Sequence, residues 1–303
     1  MINGIINVYK ERGFTSFDVV AKLRGILHER KIGHTGTLDP DAEGVLPVCV
    51  GNATKVCELL TDKDKVYRAV MRLGITTDTQ DMTGTVADDR TPEAMELATE
   101  AVADAIRQFE GEYQQIPPMY SALKVNGQKL CDLARKGIEV ERKARPVTIF
   151  SIVIEQIDLP HVTMQVHCSK GTYIRTLCAD IGQALGVGAC MESLVRTRVS
   201  VFSLKEAYTL SQIETICQKG DLDTVILPVD CVFEGKPKRK VKPEAFRFLQ
   251  NGNRLNEANF EEPEEEPEDG TQVLVYDPMG RFYAVYQYEK ETQDYKVRKM
   301  FGA

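Results

Sequence analysis

Strand and helix patterns follow one another along this chain without the regular strand–helix repeat of a doubly wound fold, and this irregularity constrains its architecture most. Residues 65–73 alternate, with Tyr67, Ala69, Met71 and Leu73 on one face and Arg68 and Arg72 on the other, which predicts a strand with one apolar face. Residues 143–157, 162–168 and 194–202 also read as strands, and residues 120–125 as a short one leading into an Asn126-Gly127 turn. Helical stretches fall between them. Thr15-Ser16-Phe17-Asp18 has capping-box spacing, followed by Phe17, Val20, Leu23 and Leu27 at helical intervals. Thr91-Pro92 opens a helix to about residue 109, and a further one ends at Gly137. Thr172 can cap a helix with the stripe Ile174, Leu177, Cys178, Ile181 and Leu185, and residues 211–219 form a short helix stopped by Gly220. The class expected is α+β, built on a mixed, largely antiparallel central sheet.

The 303 residues exceed a usual single core, so a large domain plus a smaller one is the natural division. Composition changes at Gly235-Lys236-Pro237-Lys238, and the strand, turn and strand signal of residues 272–288 predicts a small β domain after it. No window approaches a membrane span and the first residues begin no signal peptide, so a cytoplasmic protein is expected. Eight cysteines without any C-x-x-C pair read as reduced core thiols rather than disulfides or zinc ligands.

The net charge of −7 argues superficially against nucleic acid. Residues 261–269, however, hold six glutamates and one aspartate, which account for the whole excess. With two prolines and nothing to bury, that run is expected to be a solvated, disordered loop. The remainder is near neutral, with basic clusters at 129–145, 236–242 and 296–299.

Residues 33–47, GHTGTLDPDAEGVLP, are too patterned for a linker and too polar for core. Three glycines permit positive φ or close approach, and Pro40 fixes the bond after Asp39. Asp39, Asp41, Glu43 and Gly44 imitate half of a calcium loop, but the twelfth position is Val50 instead of a bidentate glutamate. Phosphate-cradling and dinucleotide glycine motifs are absent. From the residues alone, the loop is either a positioned site or a structural turn.

This block resembles the signature of TruB-type tRNA pseudouridine synthases. Four further segments match in order: Lys65-Val66-Tyr67-Arg68 with residues 74–84, residues 115–124 (QIPPMYSALK), residues 169–175 (SKGTYIR), and residues 194–198 (LVRTR). The resemblance implies a pseudouridine synthase catalytic domain at residues 1–234, with a thumb-like RNA-binding insertion at about 112–146. Residues 235–303 more loosely resemble a PUA-type β-barrel, with the acidic loop 261–269 as an addition pointing away from RNA. The implied activity is conversion of uridine 55 in the tRNA T loop to pseudouridine by base flipping, glycosidic cleavage, rotation and C–C rejoining.

Asp39 is implied as the essential carboxylate, acting as nucleophile or as base, and Arg175 as its fixed cationic partner, which should keep it ionised. Tyr67 would stack on the target base, His34 would help extrude it, and Tyr173 and Leu194 would line the uracil pocket. Asp81 would orient polar groups nearby or cap a turn. Lys129, Arg135, Lys136, Arg142, Lys143 and Arg145 would contact phosphates. No cofactor and no metal are implied. The expected partner is tRNA, through the T arm and, with the C-terminal domain, the acceptor side; no membrane and no obligate protein partner are expected, and the chain should be a monomer. A tRNA-binding folding chaperone with secondary catalysis is the alternative, and a guide-dependent RNA modifier is disfavoured by the chain's own insertion. The family's early Lys-Pro motif stands here as Lys10-Glu11, a departure that would loosen a loop beside the active site.

Overall fold

Ten strands share one sheet in the computed structural model, which describes residues 2–263 and 267–302. Across it run Ile226–Leu227, Gly4–Lys10, Glu43–Val50, Ala189–Val199, Lys65–Leu73, His161–Cys168, Arg145–Asp158 and Gly111–Gln115, with Ile32–His34 and Phe202–Ser203 pairing alongside. Every pairing in the sheet is antiparallel except one: Glu43–Val50 meets Ala189–Val199 in parallel, with Val195 opposite Glu43 and Arg196 opposite Gly44. The expected mixed, largely antiparallel α+β sheet is therefore present, and its single parallel seam lies where residues 33–47 enter the sheet.

The apolar face expected for Lys65–Leu73 is buried, with Ala69, Met71 and Leu73 fully covered. The helix Ile174–Ala184 packs on that face through Ile174, Leu177, Cys178 and Ile181. The helix Ser16–Leu27 carries the expected capping box from Thr15 to Asp18. Its buried stripe runs through Ser16, Val19, Val20, Leu23 and Leu27, so Phe17 faces outward instead of joining the core.

Three local expectations are corrected. The stretch opened by Thr91-Pro92 is two helices, Thr91–Met95 and Thr99–Arg107, because the chain turns at 96–98 to pack Leu97 on the core. Thr172 does not cap the next helix: its hydroxyl donates to Ser169 O at 3.0 Å, and Tyr173 occupies the N-cap. The strand expected at 120–125 shrinks to Lys124–Val125, which pairs with Gln128–Lys129 about the Asn126-Gly127 turn.

The C-terminal region forms a four-stranded sheet, Lys238–Lys240, Gln272–Tyr276, Phe282–Glu289 and Asp294–Met300; among the described residues its outer strands do not pair directly, but the segment 255–260 bridges both edges, Leu255 with Tyr295 and Phe260 with Val241. The region is not loosely tethered. Leu274, Val285 and Phe301 share one apolar cluster with Ile5, Val45, Cys49 and Val199 of the large sheet.

Of the acidic run, residues 264–266 lie outside the described residues. Its flanks are tied down, contrary to a wholly disordered loop: Lys240 Nζ pairs with Glu261 at 2.9 Å, Arg239 donates to Glu262 O at 2.9 Å, and Asp269 accepts from Lys290 N at 2.9 Å. No described helix is long and apolar enough to cross a membrane.

Candidate active site

Asp39 lies just before the parallel seam, in a turn closed by Ala42 N donating to Asp39 O at 3.1 Å. Its neighbours are fixed from beneath. Leu38 is buried, and its N–H donates to Ser16 Oγ at 2.9 Å. The Lys10 ammonium is fully buried and donates to Ala42 O at 2.6 Å, Pro40 O at 3.0 Å and Glu11 O at 3.3 Å. The loop is thus held by Lys10 itself, beside the Glu11 that stands in place of the family's proline. Burial lowers Lys10 to about 8, against the opposing pull of Glu43, Asp39 and Asp41.

Two of the loop's three glycines have the anticipated conformational need. Gly36 has φ of 135°, and Gly44 has φ of 105°, where a Cβ would lie 2.2 Å from Arg196 O. The three acids of the calcium-like spacing point to different partners: Asp39 to Arg175, Asp41 to Arg12 at 3.2 Å, and Glu43 to the Tyr9 hydroxyl at 3.1 Å.

Arg175 is the second residue of the helix Ile174–Ala184 and is 5% exposed. Its Nε reaches Asp39 Oδ2 at 3.0 Å and its Nη1 reaches Asp81 Oδ2 at 3.4 Å. Nη1 also donates to Thr79 O at 3.0 Å and Nη2 to Tyr120 O at 2.8 Å. One planar guanidinium therefore joins the Asp39 loop, the turn at 79–81 and the base of the insertion. Asp81 combines its two expected roles, since its Oδ1 accepts from Thr79 Oγ1 at 2.7 Å and from Thr83 N at 3.0 Å. Tyr173, at the helix N-cap, is clamped by the buried Gln115 amide, which accepts from Tyr173 N at 2.8 Å and donates to Tyr173 O at 3.0 Å.

A cavity of about 330 Å³ opens over this arrangement and is lined by Asp39, Tyr67, Tyr173, Arg175 and Leu194 together. Residues far apart in sequence converge because Tyr67 sits opposite Arg196 and Leu194 opposite Ala69 across adjacent strands. His34 is not in the lining. It lies in the strand Ile32–His34, where its Nδ1 accepts from Gly36 N at 3.3 Å, and burial lowers its pKa with Arg196 acting in the same direction.

Burial raises the Asp39 carboxyl above its usual range, and Arg175 only partly opposes it. The arginine's pull toward the ionised form, expected from the resemblance, is thus outweighed by desolvation. Burial likewise raises the Tyr67 and Tyr173 phenols.

Two further cations line the cavity without having been singled out from sequence: Lys65 and Arg196. The strand period contained the signal. Lys65 lies two residues before Tyr67 and Arg196 two after Leu194, so each shares its neighbour's face. Chemically, the site is a lone carboxylate, aligned by a fixed guanidinium, at the wall of an aromatic-lined cavity. It suits chemistry at a single electrophilic carbon or abstraction of one proton.

Residues 24–174 match the N-terminal domain of TruB family pseudouridylate synthases, and residues 175–234 match the tRNA pseudouridylate synthase B C-terminal domain. The chain is 55% identical, over 99% of its own length and 100% of the relative's, to tRNA pseudouridine synthase B of Lachnoclostridium phytofermentans. It is 42% identical to the protein of that name from Listeria monocytogenes, over 97% and 96% of the two lengths. Among solved structures, a chain of an H/ACA ribonucleoprotein bound to a substrate RNA containing 2′-deoxyuridine superposes with a TM-score of 0.73. That pair shares 26% identity and covers 99% of this chain and 85% of the other. A chain of a Cbf5-Nop10-Gar1 complex gives a TM-score of 0.72 at 28% identity, covering 98% of this chain and 84% of the other. The fold and site define a pseudouridine synthase. The chain belongs to the TruB family of these enzymes.

Proposed function

We propose that this protein isomerises uridine 55 in the T loop of tRNA to pseudouridine. The observation that carries the reading is the Asp39 carboxylate, held 3.0 Å from Arg175 and facing the cavity that Tyr67 also lines. The flipped uridine enters that cavity, its base stacked on Tyr67 and enclosed by Tyr173 and Leu194. Asp39 then either bonds to C1′ or takes a proton from C2′ as the C1′–N1 bond breaks. The base turns, C5 bonds to C1′, and Arg175 keeps the carboxylate aimed throughout. His34, behind the loop, aids extrusion of the base from its stack.

Residues 1–234 act as the catalytic domain and 235–303 as a PUA-like RNA-binding domain that touches the acceptor side; the family matches end at the same boundary. The insertion at 112–146 grips the T arm. Lys129, Lys136, Lys143 and Arg145 are exposed along it, while Arg135 and Arg142 are engaged by Asp132 and Glu139 at 3.4 and 3.2 Å. With substrate capture built into one chain, the protein works as a cytoplasmic monomer without an obligate protein partner. The assembled Asp39, Tyr67 and Arg175 set favours catalysis over a purely chaperone role.

Asp39→Asn tests the reading. It should abolish pseudouridine formation in a T-arm minihelix while leaving affinity within about tenfold, roughly 1.4 kcal/mol. Retained turnover would overturn the assignment.

A further inference from the structure

Lys65 is 6% exposed and Arg196 is 1% exposed, yet both line the cavity that holds Asp39. Among the described residues neither has a carboxylate in ion-pair range. Lys65 Nζ donates to Thr61 O at 2.6 Å and Lys63 O at 2.5 Å. Arg196 Nε donates to Val45 O at 2.7 Å and Nη2 to Gly36 O at 3.2 Å. The adjacent acid, Asp64, is taken up by His167 at 2.6 Å and Arg198 at 2.9 Å. Arg175 differs, because Asp39 and Asp81 balance it. Two positive charges are therefore buried at one cavity wall, hydrogen-bonded to neutral groups and with no carboxylate paired to either, an arrangement that is costly unless an anion arrives there.

We propose that Lys65 and Arg196 form a cationic wall that stabilises the uracil anion released when the glycosidic bond breaks, an inference that rests on the function proposed above. The electron accounting requires such an anion on either route. The C1′–N1 bond breaks with its electron pair on the base, while C1′ is captured by the Asp39 carboxylate or C2′ gives it a proton. After rotation, C5 donates a pair to C1′, the C5 proton leaves and N1 takes one up. Asp39 departs from C1′ or returns its proton, so uridine and pseudouridine contain the same atoms. Between the two bond events the base is free and negatively charged, and a fixed cation nearby stabilises it with no reorganisation.

Lys65 sits beside the developing charge through its strand position: Tyr67, two residues on along the same face, is the stacking platform, and Arg196 lies directly across from Tyr67. Burial and the neighbouring Arg196 charge lower Lys65 to about 8, with Cys168, Asp64 and Asp62 pulling the other way. Its proton is thus held loosely, as expected of a cation waiting for its counter-charge.

The test compares Lys65→Met and Lys65→Arg in single-turnover cleavage of the N-glycosidic bond, using T-arm minihelices with uridine or 5-fluorouridine at the target. Fluorine stabilises the departing base anion by itself. Lys65→Met should slow the uridine reaction about a hundredfold, and the 5-fluorouridine reaction by about tenfold less than that. Minihelix affinity should stay within about threefold and Lys65→Arg should recover most of the rate. Equal losses with the two substrates, or a loss confined to affinity, would overturn the inference. A measurement on the unaltered protein is independent of how the variants fold: inhibition by barbiturate, a uracil-shaped anion at neutral pH, against neutral uracil. Barbiturate should act at about tenfold lower concentration; equal or weaker inhibition would overturn the inference. Unaltered protein that makes no pseudouridine in the minihelix would instead overturn the function proposed for the site.

Discussion

Arg175 and Asp39 face one another at 3.0 Å with unequal exposure: the arginine side chain is 5% exposed and the aspartate 41%. The guanidinium is spent on protein partners, whereas the carboxylate keeps a face open to the cavity. The pair therefore aims a reactive group more than it stabilises the fold.

Arg175→Lys should expose that division of labour. A lysine keeps the charge but cannot hold Asp39, Asp81, Thr79 O and Tyr120 O at once. Single-turnover pseudouridine formation should fall by about a hundredfold, with minihelix affinity nearly unchanged in a filter-binding titration.

Gly44→Ala should destabilise the protein. The backbone there has φ of 105° and the new methyl would sit 2.2 Å from Arg196 O, in the only parallel junction of the large sheet among the described residues. A loss of about 2–4 kcal/mol is expected in urea unfolding. An unchanged midpoint would show that the seam tolerates movement.

The buried Lys10 makes stability depend on pH in a defined direction. Its folded pKa of about 8 lies below the ordinary 10.5, so between these values the unfolded chain binds more protons than the folded one. Stability contributed by this group therefore rises from about pH 8 upward and is lost as pH falls through 8, with a slope approaching roughly 1.4 kcal/mol per pH unit. Comparing urea midpoints of the unaltered protein and Lys10→Met from pH 7 to 10 isolates that slope.

Leu274→Ala should weaken both regions together. Leu274 is 1% exposed in the cluster shared with Val45 and Val199, so its loss should cost about 2–5 kcal/mol. Unfolding followed by a probe in each region should remain a single transition; separated transitions would mean that the two units fold independently.

Much of this was legible in the chain because the informative residues sit at local regularities. The alternation of residues 65–73 located Tyr67, and the block at 33–47 announced Asp39. What stayed hidden depends on contacts across long intervals. Lys65 and Arg196 look like ordinary strand charges until cross-strand pairing turns them toward one cavity. The direction of the Asp39 shift was likewise out of reach, since sequence displays the arginine but not how the surrounding protein desolvates the carboxylate. Phe17 fits a helical stripe on spacing alone, and only the packing of the helix shows that Ser16 and Val19, beside Val20, Leu23 and Leu27, take the buried face instead.

The parallel seam has an architectural consequence. The insertion departs from Gly111–Gln115 at one margin of the sheet, and the chain leaves for the C-terminal region after Ile226–Leu227 at the other. Asp39 emerges between them, from the interior strand that meets the seam. Beyond the base of the insertion, which itself reaches the site through Tyr120 O and Gln115, appendages can be lengthened or shortened at the margins without displacing Asp39. The sheet works as a chassis: reach is adjustable at its ends, while the reacting group stays bolted to its middle.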